Sequence, residues 1–448
     1  MLYRKFYETL RAWKKDGCKK ALLVDGARQI GKTTLIRRFA ADFYGKNVLE
    51  INFIASPEAR EIFAGERSAV AIVMKMTAWA RRELTPQKTL IFLDEIQECP
   101  EARTAIKFLV EDGRFDYIES GSLLGVTYQR VPSLPVGFEE AHTMYPLDLE
   151  EFALAMQVQP STFTHIRTCY DERSVVDEFV HEQMMKLVGY YLAVGGMPRV
   201  VQEFVSSNDM GKVARLQREI LVMYRQDIQK YADQKRDKIT MIFDTIPAEL
   251  NNRNKRFVLS DLAKSARSER YESCFNWLSD AGVTLPCYNL QEMRQPVAVN
   301  QFRNLFKLYL ADTGLLCAMC SEDVQFRILN GGLGVNEGGI LENFFAQQLK
   351  ANGYALYYFD NKNIGEIDFV LEHDGTLLPL EIKSGGAYRK HRALDRLLES
   401  PDCHAQEAIV FSGSNVARDG QVAYLPVYMA MYLKRAKKLG KVDVRLGI

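Results

Sequence analysis

The stretch from Gly26 to Thr33 carries residues that could hold phosphate. It reads GARQIGKT, matches the pattern G-x-x-x-x-G-K-[ST], and lies between an apolar run at 21–25 and a helical pattern at 34–40. In that setting backbone N–H groups surround phosphate oxygens, Lys32 neutralises the β- and γ-phosphates, and the Thr33 hydroxyl binds Mg²⁺. The pattern predicts an ATP-binding loop; the alternative is a structural loop without a ligand.

Two adjacent acids follow a later apolar strand pattern. Residues 90–93 read LIFL, and Asp94 and Glu95 come directly after them. Parallel sheets place ligand-binding residues at the carboxyl ends of strands, so Asp94 should hold Mg²⁺ through water and Glu95 should polarise the attacking water. The alternative is that Glu95 merely begins the next helix. Ser120 and Ser122 end another strand pattern, where one hydroxyl contacts the γ-phosphate or the water, or else caps a helix.

The predicted nucleotide-binding residues are Gly26, Ala27, Arg28, Gln29, Ile30, Gly31, Lys32, Thr33 and Thr34 in the loop, with Asp94 and Ser120 beyond it. Lys32 and Glu95 are the predicted catalytic residues among them. Thr33 and Asp94 are the predicted Mg²⁺ ligands. These side chains need an α/β core in which strands alternate with helices and the strands end at a common edge.

A hairpin pattern near the C-terminus sets two acids opposite each other. The Asp-Gly pair at 374–375 is a two-residue turn signal, which places Asp368 opposite Glu381 with Lys383 on the same face. Two opposed carboxylates repel unless a cation lies between them, and Mg²⁺ or Mn²⁺ would be that cation. Glu342, on a preceding helical pattern, is the predicted third ligand, and Lys383 would act near the attacking water or the scissile phosphate. The alternative is an ordinary solvated strand face.

Composition restricts the class of protein. The chain has 448 residues, 47% hydrophobic and 26% charged, with a net charge of +1. This predicts two to four folded domains at about 100–200 residues each. No apolar run approaches the roughly 20 residues that cross a bilayer, so we expect no membrane segment. The six histidines and eight cysteines are dispersed, which predicts a reduced, cytoplasmic protein, and Cys317 and Cys320 are interpreted as buried core thiols.

The middle of the chain is helical by pattern and then changes. Residues 150–235 show apolar positions at three- and four-residue intervals, interrupted by GGMP, as in a lid over the nucleotide or in generic helical packing. A short helix at 260–264, a second at 271–280 and a β-run at 283–290 follow the order of a winged helix. Between 235 and 270 basic residues exceed acidic ones by four. DNA binding and protein docking both stay open for this segment.

Several sequence blocks together resemble one family. GARQIGKTT, IFLDEIQ, ESGSLLG and YPLDLEEF in that order, followed by VGGMPRVV, YRQDI and KLYLADTGLL, resemble AAA+-type ATPases (AAA_14-like) that carry a C-terminal DUF4143 region. The resemblance covers most of the chain. It implies a P-loop ATPase core at 1–155, a helical lid at 156–235, a winged-helix-like segment at 236–310, and a domain related to the PD-(D/E)XK nuclease fold at 311–448.

One position departs from that family. Relatives place a Gly-Arg pair shortly before the YPL segment, whereas this chain has Gly137-Phe138. By the resemblance, an arginine at that position could contact phosphate, and in its absence Arg28, Arg199 and Arg225 remain as candidate arginines. Whether such an arginine acts within one chain or between subunits of an oligomer stays open.

Two functions are compatible with these patterns. The first is an ATPase whose nucleotide state controls a C-terminal metal-dependent nuclease-like domain acting on DNA or RNA, with Mg²⁺ or Mn²⁺ at the C-terminal site. The second is a nucleotide-dependent switch or scaffold whose nuclease-like domain is catalytically silent and which binds a protein partner, through the winged-helix segment.

Overall fold

The computed structural model describes residues 2–122, 134–252, 255–257, 268–330, 338–400 and 405–435. The α-helices are α1 (Phe6–Lys15), α2 (Lys32–Tyr44), α3 (Ala69–Ala80), α4 (Pro100–Asp112), α5 (Leu149–Ala155), α6 (Pro160–Glu172), α7 (Glu178–Val194), α8 (Pro198–Ser207), α9 (Met210–Tyr231), α10 (Arg236–Asn251), α11 (Ser268–Asp280), α12 (Thr313–Cys320), α13 (Glu322–Leu329), α14 (Gly338–Ala351) and α15 (Arg392–Glu399). The strands are β1 (Ala21–Asp25), β2 (Val48–Asn52), β3 (Leu90–Asp94), β4 (Asp116–Ser120), β5 (Glu139–Thr143), β6 (Thr284–Leu290), β7 (Gln301–Leu310), β8 (Tyr357–Asn361), β9 (Gly365–Ile367), β10 (Phe369–His373), β11 (Thr376–Ile382), β12 (Ala408–Ser412), β13 (Ala417–Asp419) and β14 (Val422–Pro426).

The chain divides into two compact units. The first consists of 1–147, 197–243 and 269–284, and the second of 148–196, 244–268 and 285–448. The four predicted segments, with boundaries after residues 155, 235 and 310, stay predictions. The predicted short helix at 260–264 lies outside the described residues, whereas the second predicted helix and the β-run correspond to α11 and β6.

The first unit is built on a parallel sheet. Its strand order is β2-β3-β4-β1-β5, and each neighbouring pair is parallel. Strand β3 is buried along its whole length, as are the first four residues of β1, which explains their nearly continuous apolar sequences. An apolar core that includes Leu23, Ile91 and Ile106 lies on one face of this sheet. The predicted α/β core with a parallel sheet is confirmed.

The second unit contains helices and two mixed sheets. One sheet has the order β10-β11-β12-β14-β13 and the other β7-β6-β8-β9. The predicted hairpin register is confirmed, because Phe369 pairs with Leu380 and His373 pairs with Thr376 in an antiparallel ladder. Strand β11 also pairs in parallel with β12, so both of its edges are hydrogen-bonded to neighbouring strands. Asp368 and Glu381 are only 8% and 6% exposed, so the alternative of a solvated strand face is wrong.

Two further expectations concern single features. Cys317 is buried as expected, but Cys320, the last residue of α12, is exposed, so its interpretation as a core thiol is wrong. Within the described ranges, the structure contains no helix with the combined length and apolar character that a membrane span requires.

The GGMP segment ends α7 at a close backbone crossing in the second unit. A Cβ on Gly314, in the first turn of α12, would lie 2.3 Å from the carbonyl oxygen of Val194. Asp312 fixes the same crossing, because its carboxylate accepts the N–H groups of Gly196 (2.6 Å) and Leu315 (2.9 Å). Only glycine lets the two backbones approach this closely.

We predict that Gly314→Ala lowers the free energy of unfolding by about 1–3 kcal/mol, because the added methyl group must push the backbone of Val194 away. Chemical denaturation of the full chain measures the loss. The matched control is Gly385→Ala, at a site where an added Cβ meets nothing within 4 Å. Equal stability of the two variants would contradict the predicted crowding.

Candidate nucleotide site and C-terminal carboxylate cluster

The loop between β1 and α2 has the backbone shape of a phosphate cradle. Gly26 has φ +131°, and a Cβ there would lie 2.3 Å from the carbonyl oxygen of Met144. Gln29 also has a positive φ, +66°, a conformation that costs a non-glycine residue roughly 1–3 kcal/mol and is typical of functional loops. The loop leads into α2, whose first-turn N–H groups have no helical partner. Such a helix start is suited to bind an anion.

Lys32 is the first residue of α2 and is buried inside the loop. Its Nζ donates to the carbonyl oxygens of Gly26 (2.9 Å) and Ala27 (2.8 Å). Burial lowers the pKa of Lys32 to about 8, although Glu95 and Asp94 oppose the decrease. The ammonium therefore lies in the centre of the loop, held by carbonyl groups that a phosphate oxygen could replace.

Asp94 ends β3 and is the most heavily hydrogen-bonded acid of the site. Asn52 at the end of β2 donates to its Oδ2 at 2.8 Å, and the Thr33 hydroxyl lies 3.1 Å from both carboxylate oxygens. The Ser120 hydroxyl, at the end of β4, donates to Oδ1. The parallel register explains the convergence, because Asp94 pairs with Asn52 on one side and with Ser120 on the other. The structure thus brings the predicted residues Thr33, Asp94 and Ser120 together.

Glu95 follows with a strained backbone. Its φ of 55° and ψ of 48° lie in the left-handed region, and its side chain does not cap the short 3₁₀ helix Ile96–Glu98 that it precedes. Instead, its Oε2 accepts the side-chain amide of Gln97 at 2.6 Å and lies 3.4 Å from the Ser122 hydroxyl. Both of these described contacts, from Gln97 and Ser122, go to Oε2 of Glu95, and neither goes to its Oε1. The side chain is therefore oriented as a proton acceptor would need to be, with one oxygen held.

A cavity of about 650 Å³ adjoins the loop, and its lining includes Lys32, Thr33, Glu95, Arg28 and Arg199. Arg28 is paired with Asp227 of α9 at 2.5 Å. Arg199, at the start of α8, lies 3.4 Å from Glu219, and both side chains are at least half exposed. These two of the three candidate arginines therefore line the cavity.

The third candidate arginine lies elsewhere. Arg225 lies over the ring of Phe243, 5.6 Å from its centroid, and is not part of the cavity lining. Phe138, at the position where the family resemblance leads us to expect arginine, precedes β5, and Lys107 lies 5.7 Å from the centroid of its ring. Arg4 connects the loop to the segment after β5, because its guanidinium donates to the carbonyl oxygens of Ile30 (2.9 Å) and Tyr145.

The donor set fits a nucleotide with Mg²⁺. The loop supplies a tight backbone turn at Gly26, where a Cβ would collide with the carbonyl oxygen of Met144. It also supplies the central ammonium of Lys32 and the first-turn N–H groups of α2, which have no helical partner. Thr33 and Asp94 supply a hydroxyl and a carboxylate, the oxygen ligands that Mg²⁺ takes when it keeps several waters and a phosphate.

The predicted C-terminal acids lie close together in the second unit, but lysines accompany them. Glu342 of α14 is almost completely buried, and its Oε1 accepts Lys255. Its Oε2 accepts Lys307 at 3.2 Å and the hydroxyl of Tyr309 at 3.0 Å. Burial raises the pKa of Glu342, but Lys307 and Lys255 outweigh burial and lower it below its usual value.

Lys307 is the centre of this cluster. Its side chain is 0% exposed and also contacts Glu366, with Nζ 2.5 Å from Oε1. Burial lowers the pKa of Lys307, but the surrounding carboxylates, first Glu342 and then Glu366, outweigh it and raise the pKa above its usual value. Lys307 therefore remains an ammonium and supplies positive charge between two acids.

The hairpin acids complete the cluster. Asp368 accepts the backbone N–H of Ile382 at 2.7 Å, and Glu381 accepts Lys383 on Oε1. Burial raises the pKa of Asp368 well above its usual value, with Glu342 and Glu381 adding to the rise. The other oxygen of Glu381, Oε2, is buried and forms no hydrogen bond to the described residues.

This arrangement does not fit the predicted three-acid metal site. Among the described residues no group of three or more His, Cys, Asp or Glu side chains is placed to hold a metal ion. The physical reason is charge compensation: Lys255 and Lys307 already neutralise Glu342, and Lys383 pairs with Glu381. The structure brings Glu342, Asp368, Glu381 and Lys383 together, but ammonium groups contact the carboxylates of Glu342 and Glu381, and Asp368 accepts a backbone N–H group.

Several residues of both sites were not predicted. Asn52, Gln97 and Asp227 contribute to the first site, and Lys307 and Tyr309 to the second. Asn52 ends a strand pattern, as Asp94 does, so strand-end position could have indicated it. The contacts of Asp227 and Lys307 join residues 199 and 35 positions apart, and no local pattern indicates them.

Three sequence families match parts of the chain. Residues 18–153 match the AAA domain family (AAA_14), residues 185–325 a domain of unknown function (DUF8612), and residues 337–429 another domain of unknown function (DUF4143). None of the curated proteins matches. With the parallel sheet and its P-loop, the first match supports an AAA+ ATPase-like nucleotide-binding core.

Solved structures resemble the chain only weakly. C. elegans PCH-2 is 13% identical with a TM-score of 0.26, over 47% of this chain and 65% of that one, just under two thirds of its length. AMPPCP-bound DnaA from Aquifex aeolicus is 11% identical with a TM-score of 0.29, and the match covers 61% of this chain and 78% of that one. Cdc6p from Pyrobaculum aerophilum is 11% identical with a TM-score of 0.25, and the match covers 72% of this chain and 93% of that one. Nothing about this chain's activity follows from likenesses of this degree.

The lowered pKa of Lys32 predicts a pH dependence. The charged form is present below about pH 8 and is lost above it, so a non-hydrolysable ATP analogue should bind roughly tenfold more weakly at about pH 9 than at about pH 7. Equilibrium titration measures this change. In the matched variant Lys32→Arg the guanidinium keeps its charge, so affinity should not show the step; the same loss in that variant would assign the effect to another group.

Proposed function

We propose that this chain hydrolyses ATP at the edge of the first sheet. The proposal depends mainly on the positions of Asp94 and Glu95. Both lie beside the phosphate-binding loop, and a different set of hydrogen bonds orients each side chain. Asp94 is held by three donors from three elements, while Glu95 has one oxygen held and faces the cavity. One acid is suited to a hydrated metal and the other to a water molecule.

Each residue has a distinct role in this proposal. The N–H groups of residues 26–34 bind phosphate oxygens, and Lys32 offsets the negative charge that accumulates on the γ-phosphoryl group. Glu95 orients a water molecule and accepts its proton as the water oxygen bonds to the γ-phosphorus and the bond to the bridging oxygen breaks. Thr33 and Asp94 would hold Mg²⁺, which when bound supplies charge stabilisation to the phosphates. Ser120 keeps the Asp94 carboxylate in place.

Glu95→Gln tests the proposal. The amide cannot accept the proton, so phosphate release should fall about 10²–10⁴-fold, while a fluorescent ATP analogue binds with unchanged affinity because the cradle is intact. Colorimetric phosphate release and fluorescence titration of the full chain give the two numbers.

The matched control is Glu98→Gln, which removes an acid three residues away that contacts Arg60 and Tyr231. This variant should retain wild-type turnover. If Glu95→Gln also turns over at the wild-type rate, the assignment of Glu95 is wrong; if the wild-type chain binds no ATP, the function is wrong.

We propose that the C-terminal cluster is a catalytically silent part of the second unit rather than a metal-dependent nuclease site. The observation is the pairing of Glu342 with Lys255 and Lys307. Two ammonium groups at one carboxylate satisfy its charge, and displacing them would leave buried charges unpaired, at a cost of roughly 3–5 kcal/mol. Of the two functions that the sequence allows, this favours the catalytically silent domain. Control by the nucleotide, DNA or RNA binding, and a winged-helix docking role stay predictions.

A cleavage assay distinguishes the two functions. Wild type should cut neither single- nor double-stranded DNA or RNA with Mg²⁺ or Mn²⁺, with or without ATP, because no three-acid metal site is present in the described residues. Asp368→Ala and the turn variant Asp374→Ala are assayed beside it. Mn²⁺-dependent cutting that persists in Asp374→Ala but is lost in Asp368→Ala would contradict the catalytically silent domain and support the nuclease.

A further inference from the structure

We propose that Asp227 of α9 is a positioning residue for the ATPase site, acting through Arg28 and Ser122 on Glu95. The inference rests on the proposed function, because it assigns a residue to the water-orienting step. Four side chains form the connection, and all lie in the first unit. We call these four residues, Asp227, Arg28, Ser122 and Glu95, the relay.

The first contact joins α9 to the phosphate loop. Nη1 of Arg28 lies 2.5 Å from Oδ1 of Asp227. Asp227 is only 6% exposed. On the same helix the Tyr224 hydroxyl lies 3.4 Å from the carbonyl oxygen of Arg28. Because a buried carboxylate requires a partner, this ion pair fixes the guanidinium at the loop, and α9 thereby determines where Arg28 points.

The second contact joins the loop to the end of β4. Nε of Arg28 donates to the Ser122 hydroxyl at 3.3 Å. Ser122 is 1% exposed, and a hydroxyl that accepts from a guanidinium has its own proton free to donate elsewhere. One acceptor within its reach is Oε2 of Glu95, at 3.4 Å. Arg28 thus sets the direction in which the Ser122 proton is donated.

The third contact holds the catalytic carboxylate. Oε2 of Glu95 also accepts Gln97 at 2.6 Å, so two donors restrict the rotation of this carboxylate. An unrestrained side chain of this type loses conformational entropy on being ordered. The relay and Gln97 supply that ordering before ATP binds, which is the benefit of preorganisation.

The alternative is a purely structural role, in which the ion pair of Asp227 and Arg28 only holds α9 against the phosphate loop. In that case loss of the pair would reduce stability and would not change turnover by folded protein. A positioning role instead lowers kcat while ATP affinity stays constant, because the side chains of the relay orient Glu95, whereas backbone N–H groups and Lys32 form the cradle. The two roles therefore differ in a kinetic readout.

The test uses the full chain and the isosteric variant Asp227→Asn. We expect kcat to fall about tenfold and the affinity for a fluorescent ATP analogue to change less than about twofold. Asp227→Glu, which retains the carboxylate, should restore most of the rate. The matched control is Glu203→Gln, which removes the ion pair of α8 with Lys212 of α9, N–O distance 3.5 Å, and should retain the wild-type kcat.

A double-mutant cycle tests whether Asp227 acts through Ser122. Ser122→Ala alone should lower kcat as Asp227→Asn does, and the double variant should be no slower than the slower single variant, because both break one relay. Additive losses in kcat, or an unchanged kcat in Asp227→Asn, overturn the inference while leaving the ATPase proposal intact. If Asp227→Asn fails to fold, an unchanged kcat in Ser122→Ala overturns it. A wild-type chain that does not hydrolyse ATP overturns both.

Discussion

The buried carboxylate of Asp94 is the constraint on which the first site depends. An ionised acid inside a protein is tolerated only when donors surround it, and hydrogen bonds to a charged group contribute about 1.5–3 kcal/mol each. The donors come from β2, β4 and α2, as Asn52, Ser120 and Thr33. Satisfying one charge therefore aligns three separate elements, and the phosphate loop, the start of α2 and the cavity follow from that alignment.

The two units solve the same electrostatic problem in different ways. In the first, the Lys32 ammonium is held by neutral carbonyl groups, so its charge remains available to an incoming anion. In the second, ammonium groups and carboxylates compensate one another directly, as Lys307 does with Glu342 and Glu366. A site that keeps an uncompensated charge is suited to bind a ligand of opposite charge, whereas a buried, compensated cluster contributes to the fold.

The parts that could be predicted from the sequence are those with local signals. The loop at 26–33, the acids at the end of β3 and the register of the β10–β11 hairpin each depend on residues close together in the chain, and the structure reproduces their positions. What local patterns could not supply is charge pairing across the fold. Glu342 suggested a metal ligand because Lys307 is distant in sequence, and Arg28 suggested a free phosphate contact because Asp227 is far along the chain.

The most direct test of the central claim is a structure of the full chain with Mg²⁺ and a non-hydrolysable ATP analogue. The account predicts phosphates in the loop at 26–33, with the Lys32 ammonium transferred from the carbonyl oxygens of Gly26 and Ala27 to phosphate oxygens. The metal ion would lie between Thr33 and Asp94, and a water near Glu95 would face the γ-phosphate. A nucleotide bound elsewhere, or Lys32 still held by both carbonyl groups beside a bound nucleotide, would contradict it.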